Sequence, residues 1–454
     1  MKHMMILVIL TFVAISLSAG LAWDWAVQTN CSSIAVNGMV IDKKDNVYLV
    51  AKFWDDFQIG ERAISPVGGE DILILKYDNT GKLLWALPAG GEDTDNGLAI
   101  AISPSGGIYA AGNFVSEASF GSFTVSSEDT YNHDIFVAKV SEAGKWEWVK
   151  SYGSMNVETV FSLAVDSKNS IYLAGNFSSN ISFGETELTT DYEVPAFFLA
   201  RMKGNGEPDW AVPIRLVSDG YINKLVLNNK EQPAIAGNFD TEMVVDNEII
   251  LMSNGGWDGF VIQFDQTGYA LWAKYFGDDE TDSVNDMVSD KQGNLYITGN
   301  FSGIMDMGKD ITADGLTDIF IAKIAPGGNW VWANSCGGET AQYSVAISLG
   351  ANGKVVAGGN FAESMSIGDK HTVNDADDGL FVAEADADGN WLGFYGATGS
   401  DMESVRNLVC DSKGNIIAVG DFVIDLQIGN ASLETSSEAY YDRSLFLSRM
   451  KNTK

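Results

Sequence analysis

The sequence predicts an all-β protein: a single seven-bladed β-propeller, four antiparallel strands per blade, with the N-terminal strand completing the last blade. Three observations predict it. A strand-like segment ending in Phe recurs seven times, each repeat holds four alternating runs, and the chain starts with a strand that its end lacks.

The recurring segment sets the register. It ends at Phe53, Phe114, Phe177, Phe239, Phe301, Phe361 and Phe422, so successive copies lie 61, 63, 62, 62, 60 and 61 residues apart. A fixed period of this size, filled with short strands and Gly-bearing turns, signals a propeller or array rather than separate domains. Strand A precedes the Phe segment, as in 98–103 and 161–166, and the Phe segment is strand B. Strand C follows, as in DILILKY (71–77) and DIFIAKI (318–324). Strand D carries tryptophan at Trp85, Trp148, Trp210, Trp272 and Trp332, with Trp391 two places early in the sixth unit. β-Branched and aromatic residues at period two, cut by Gly- and Asp-rich turns, are the expected strand chemistry.

Distances between columns separate rigid from variable connections. The last residue of strand A stands 11 before the strand-B Phe in every unit, as Asp42 does before Phe53. The polar column of strand C (Lys76, Lys139, Arg201, Gln263, Lys323) stands 9 before the Trp. Only the B–C connection varies widely. Within strand A, the column three before its end (Met39, Ile100, Leu163, Leu225, Met287, Ile347, Leu408) is expected to pack blade against blade, as is the column one before the end, which includes Cys410 as a buried, inert thiol.

The ends show how the ring closes. The chain opens with AWDWAVQ (22–28) and ends on a strand C, SLFLSRM (444–450), with no strand D after it. Seven complete blades therefore require the N-terminal strand to serve as the last strand D, because a propeller must tie its ends together.

Residues 1–22 read as a secretory leader: a polar start at Lys2 and His3, an apolar run from Met4 to Leu17, and small residues at Ser18, Ala19, Gly20 and Ala22. The propeller is expected over 23–454, exported to the periplasm, the cell surface or the medium, and monomeric. Three widely spaced cysteines make no disulfide framework. The formal net charge of −33 excludes nucleic acid and anionic membranes as partners, because such a surface repels both.

The D-x-x-G-N turn (411–415), the Y-x-x-G-N-F strand (109–114), the Phe120-Gly121, Phe183-Gly184 and Ile367-Gly368 steps, the D-x-F-x-A-K strand (318–323) and the trailing Trp recur along essentially the whole chain. In these features the sequence resembles the bacterial SBBP, or β-propeller repeat, family. The resemblance implies the scaffold and no shared reaction. The fourth unit (turn 228–232) and Pro195 depart from the pattern without disturbing the fold.

Function is expected where connections vary, since loops on a stiff scaffold carry binding. The B–C inserts hold 26 acidic and 4 basic residues, −22 of the total charge. The expected function is a non-catalytic binding module for a protein or neutral glycan, with binding-face candidates Trp54, Asp55, Asp56, Trp257, Asp375 and Asp377. Tyr440 and Tyr441 are further stacking candidates. In the strand-A column four before its end, Lys224 and Asp286 stand out among small residues, as an ion pair or a polar binding spot. No cofactor is expected; Glu384, Asp386 and Asp388 partly meet the alternating oxygen spacing of a calcium loop. His133 and His371 cannot build a catalytic triad or a His-rich metal site. A carboxylate-based glycan hydrolase or lyase on the same face is the alternative, since two suitably spaced acids suffice.

The closure model predicts that deleting residues 23–30 destabilises the whole ring, and that Trp25→Ala costs about 3–5 kcal/mol. A thermal melt unchanged by the deletion would refute it.

Overall fold

The computed structural model describes residues 21–29, 33–60, 62–190, 194–246, 248–350, 353–367, 370–435 and 443–452. Most of the segment read as a leader, together with Cys31, Tyr440 and Tyr441, lies outside them, and the side chains of His371, Asp375 and Asp377 are likewise outside the description.

Blade 1 is the four-stranded meander Ile34–Ile41, Val47–Phe53, Asp71–Tyr77 and Leu83–Ala89, and the same order A-B-C-D repeats around the ring. The expected closure is present. The first strand, Leu21–Gln28, pairs antiparallel with the last, Arg443–Asn452, so the N-terminal strand is strand D of blade 7. That strand begins at Leu21, inside the segment read as a leader, with Leu21 opposite Asn452.

The recurring Phe is buried in all seven blades, and so is the strand-A column from Met39 to Leu408. The column one before the strand-A end packs against the cores between blades as expected, though less deeply: Ile41, Ile102, Val165, Leu227 and Cys410 are partly buried. Ile102, Val165 and Leu227 also line the central channel, which accounts for their remaining exposure. Burial nevertheless pushes the Cys410 thiol up to about 12, which suits an inert group.

Turn chemistry explains the fixed spacings. In the A–B turns, the Asp42, Asp166, Asp290 and Asp411 carboxylates each accept two backbone amides of their own turn. Asp78, Asp265 and Asp386 do the same in C–D turns. A side chain bonded two and four residues ahead fixes loop length.

The strand-D tryptophans join the blades. The indole of Trp85 covers Gly144 in the C–D turn of blade 2, and Trp148, Trp210, Trp272 and Trp332 cover Gly206, Gly268, Gly328 and Gly389 in turn. Four of these indoles also donate to that turn's backbone: Trp85 to Glu142 (3.1 Å), Trp210 to Gln266 (3.1 Å), Trp272 to Pro326 (3.0 Å) and Trp332 to Ala387 (3.0 Å). Trp25 from the N-terminal strand covers Gly81 of blade 1 in the same way. These glycines hold φ between 72° and 88°.

The strand-B Asn makes a second joint. Asn113, Asn238, Asn300 and Asn360 accept the amides of Val160, Val284, Ser344 and Val405 in strand A of the following blade, at 3.3, 2.9, 2.8 and 3.0 Å. Each of those amides flanks a register slip that occurs in all seven A strands. The residue left out of register (Asn37, Leu98, Phe161, Asn223, Asn285, Val345, Arg406) borders the channel. Such bulges bend a strand and re-aim its side chains.

The variable B–C inserts fold into small hairpins at the outer edge of the ring. In blade 4, Glu242–Val245 pairs with Ile249–Met252 and also with strand D of blade 3 (Pro208–Leu216). Single bridges Gly90 to Ser119, Gly153 to Ser182 and Gly337 to Ser366 repeat that contact elsewhere. Apolar side chains such as Ala118, Phe120 and Val125 face inward.

Two glycine substitutions separate backbone strain from packing. Gly106 (φ 95°) has open space around its missing side chain, whereas a methyl on Gly144 (φ 72°) would lie 2.6 Å from Trp85. Gly106→Ala should cost about 1–2 kcal/mol for the left-handed backbone alone. Gly144→Ala should cost a further ~1–3 kcal/mol for displaced packing, read by urea unfolding of the two variants side by side.

Candidate functional site

Strands A and C begin, and strands B and D end, on one face of the ring, and that face gathers most of the described sequence candidates. Trp54, Asp55 and Asp56 follow strand B of blade 1 and are exposed. Asp55 accepts the Ser33 hydroxyl (3.0 Å) and Ser33 also receives the Trp54 amide on its carbonyl (3.1 Å), so the loop is held against the start of strand A. The Trp54 ring is left 38% exposed.

Trp257 immediately precedes strand C of blade 4 (Asp258–Phe264), and its carbonyl accepts the Asp282 amide (2.6 Å). Its ring stacks on Tyr221 with centroids 5.3 Å apart and planes 25° apart. Tyr221, 44% exposed, is the second residue of strand A in the same blade (Gly220–Leu227). Tyr343, 49% exposed, holds the equivalent place in blade 6, each tyrosine lying opposite the strand-B Asn. Neither tyrosine was singled out from sequence. The signal was there: the strand-A column seven before its end reads Ala35, Asn96, Thr159, Tyr221, Ser283, Tyr343, Ser404, two aromatics among small residues.

The acids of the D–A loops border this face, with Glu92, Asp93, Asp279 and Glu280 exposed or half-exposed. The insert acids do not crowd it. Glu117, Glu187, Asp306 and Asp310 sit on the outward faces of the edge hairpins, so much of the charge counted in the inserts skirts the perimeter.

Lys224 and Asp286 form an ion pair across blades 4 and 5 at 2.8 Å, with the Asp286 side chain 8% and Lys224 31% exposed. Asp286 also accepts the backbone amide of Ile347 in blade 6 (2.8 Å). The pair lines a channel cavity of about 440 Å³ together with Asn37, Asn223, Asn285 and Arg406. The three bulged asparagines are engaged: Asn37, Asn223 and Asn285 donate to the Gly97, Val284 and Ser344 carbonyls of the next blade. Arg406 pairs with Asp421.

The calcium-loop candidates are placed apart in role. Glu384 pairs with Lys354 at 3.0 Å. Asp386 is held below the usual carboxylate range by the Asn390 side chain and the turn amides. Asp388 is exposed and gives its amide to Asp386. Among the described residues, no three His, Cys, Asp or Glu side chains converge as a metal-ligand group.

Fold and face together define a repeat propeller with an aromatic, acid-bordered surface at the strand-A entry. Residues 271–300 match the family model described as a β-propeller repeat, SBBP, in agreement with the resemblance carried by the sequence motifs. An uncharacterized WD repeat-containing protein of Acanthamoeba polyphaga mimivirus is 21% identical over 451 residues, covering 81% of this chain and 32% of its own length. The regulatory protein FlaEY of Caulobacter vibrioides is 24% identical over 280 residues, covering 57% of this chain and 29% of its own. The chain thus spans about a third of the curated relatives it matches. Among solved structures, YCF48 bound to D1 peptide aligns over 95% of this chain and 97% of its own at 11% identity and a TM-score of 0.41.

Asp286 holds three partners, the Lys224 ammonium and the Ile347 and Met287 amides, and Lys224 one, which sets an order of cost. Asp286→Ala strands a buried amide and a partly buried ammonium and should lose about 2–3 kcal/mol, whereas Lys224→Ala should lose about 1 kcal/mol or less. Chemical denaturation of both variants checks the order.

Proposed function

We propose that the protein is an exported, non-catalytic binding module whose ligand is a protein segment or neutral glycan. The ligand docks on the face where strands A and C begin. The observation that carries this reading is the stacked Tyr221–Trp257 pair, with Trp54 and Tyr343 as further exposed aromatics on that face. Flat aromatic surface with one polar edge suits both sugar faces and peptide backbones. The bordering acids suit a ligand that is neutral or basic. The WD-repeat description of the viral relative supports the coarser reading of an interaction module.

The hydrolase alternative draws less support from the geometry. The carboxyls raised most clearly toward neutral pH, Asp95, Glu158 and Asp282, are fully buried and out of reach of a sugar.

A glycan array and a peptide library probed with the wild type and with Tyr221→Ala plus Trp257→Ala test the proposal. Binding should fall by about tenfold or more in the double variant, with a cooperative melt retained because Tyr221 is 44% exposed and Trp257 lies at the surface, partly exposed. Binding equal in both proteins would refute the site, and turnover of a bound glycan would refute the non-catalytic reading. Export is tested by N-terminal sequencing of the secreted chain, which should begin at Leu21 or Trp23.

A further inference from the structure

The seven joints between neighbouring blades share one buried position that nothing above accounts for. It is formed by the first residue of strand C, opposite the strand-B Phe, and the residue 24 further on at the head of the next strand A. Around the ring the pairs are Asp71 with Asp95, Asp134 with Glu158, Ala196 with Gly220, Asp258 with Asp282, Asp318 with Gln342, and Gly379 with Glu403. The closing pair is Ser444 with Ile34.

Three joints thus bury two acids each. Asp71, Asp134 and Asp258 are at most 2% exposed, and Asp95, Glu158 and Asp282 are at 0%. In each of the three, the strand-C aspartate gives one oxygen to a backbone amide (Val67, Glu128 or Asn254), and its Oδ1 has no hydrogen-bond partner. The two acids face each other closely. A methyl built on Gly90 would lie 2.3 Å from Asp71 Oδ1 and 3.0 Å from Asp95 Oδ2, and one on Gly277 would lie 2.2 Å from Asp258 Oδ1 and 2.9 Å from Asp282 Oδ2. The carboxylates of these two pairs are therefore within about 5 Å, where like charges repel strongly in a buried site, and in the remaining joint the Asp134 charge acts on Glu158.

Among the described residues, no cation is found acting on them. The charged groups acting on Asp95 are Asp71 and Asp93; on Asp134, Glu128 and Asp129; on Glu158, Asp134 and Glu128; on Asp258, Asp278; and on Asp282, Asp278 and Asp258. His133, next to Asp134, is itself driven toward the neutral form by burial. The fifth joint shows how the position is satisfied without a second charge. Gln342 has the size of a protonated glutamic acid; its Oε1 accepts the Gly338 amide (2.9 Å) while its Nε2 donates to the Ser364 carbonyl (3.2 Å).

We propose that the three two-acid joints are proton locks, each holding one of its acids un-ionised, so that the ring tightens in mildly acidic surroundings and loosens as the locks ionise. Burial, helped by the neighbouring acids and opposed by the backbone amides that each carboxyl accepts, pushes Asp95 and Asp282 up to about 7 and Glu158 up to about 8. The raised folded values mean that the folded ring binds more protons than the open chain between ordinary carboxylate values and about pH 8. Stability therefore falls as pH rises through that window and levels off above it.

The test is a thermal melt of the full chain from pH 5 to pH 9, wild type against Asp71→Asn, Glu158→Gln and Asp258→Asn, singly and combined. The amide side chain at position 71 or 258 keeps its oxygen on the Val67 or Asn254 amide and turns its NH2 to the facing carboxylate. The melting temperature of the wild type should fall from pH 5 to pH 8 and then flatten. The amide variants should match wild type at pH 5 and exceed it at pH 8 by on the order of 2 °C or more per joint. General repulsion within the acidic chain would give wild type and variants the same slope, and that result overturns the proposal. Calcium chloride at pH 8 is the second arm. A large rise in melting temperature for wild type that the amide variants lose would assign the joints to a cation instead of a proton, and would equally overturn it. No calcium response, together with flattened variants, supports the locks.

Discussion

The contact on which the ring depends is an indole lying on a glycine. A blade cannot bury both faces of its own sheet, so each must be covered by the next blade, and the strand-D tryptophan fixes how closely they approach. The C–D turn it meets must lack a side chain and must turn left-handed, conditions that glycine meets without strain. This contact also explains the exception in the repeat. In blade 6 the column holds Gly393, and Trp391 stands two places earlier, in the column of Trp146 and Trp330. The blade it faces has no C–D turn, because its strand D arrives from the N-terminus. A tryptophan there would have no turn glycine to cover. The irregularity and the closure are thus one fact: the tryptophan missing from blade 6 and Trp25 over Gly81 both follow from Leu21–Gln28 serving as strand D of blade 7.

The Gly-Asn-Phe motif divides into three jobs on three neighbouring residues. The Phe fills the blade core. The Asn reaches the next blade's amide beside the bulge. The Gly lets strand A pass so close that a methyl on Gly112, Gly237 or Gly299 would meet its carbonyl at 1.8, 1.9 or 1.7 Å. Where the motif changes, the bonding changes with it. Lys52 replaces the Asn in blade 1 and pairs with Glu70 (2.8 Å), and Asp421 replaces it in blade 7 and pairs with Arg406 and Arg443. Blades 7 and 1 are also the two that meet at the closure, where the joint is made by Trp25 and by Arg449 over the Trp25 ring.

Much of this was legible in the sequence because repetition turns one strand into seven aligned measurements. The period, the fixed turns, the closing strand and the Met39-to-Leu408 core column could each be read that way. The bulge in strand A was not read, although the hydrophobic parity slips there: Val36 and Met39 are both buried, an odd step in an alternating strand. The inserts misled for a physical reason. Variable length suggested free loops, but each insert alternates apolar and polar residues and folds into a hairpin on the neighbouring blade. Variation there reflects hairpin length at the ring's edge as much as any ligand.

Charge is the last quantity that the linear sequence blurs. An acid in a hairpin, in a turn and at a blade joint counts equally toward −33, yet the three sit in opposite environments. Asp306 faces water; Asp290 is held by the amides of its own turn; Asp95 is sealed between blades. Only the first kind can attract a ligand, and only the last is under pressure to stay neutral. The proposed binding face is therefore better defined by its exposed aromatics than by its acids. Tyr221 and Tyr343 occupy a column where five other blades have small residues, and both rings stay exposed, Tyr221 even while stacked on Trp257. An aromatic that costs solvation and adds nothing to the core is the feature on this scaffold that a ligand would best account for.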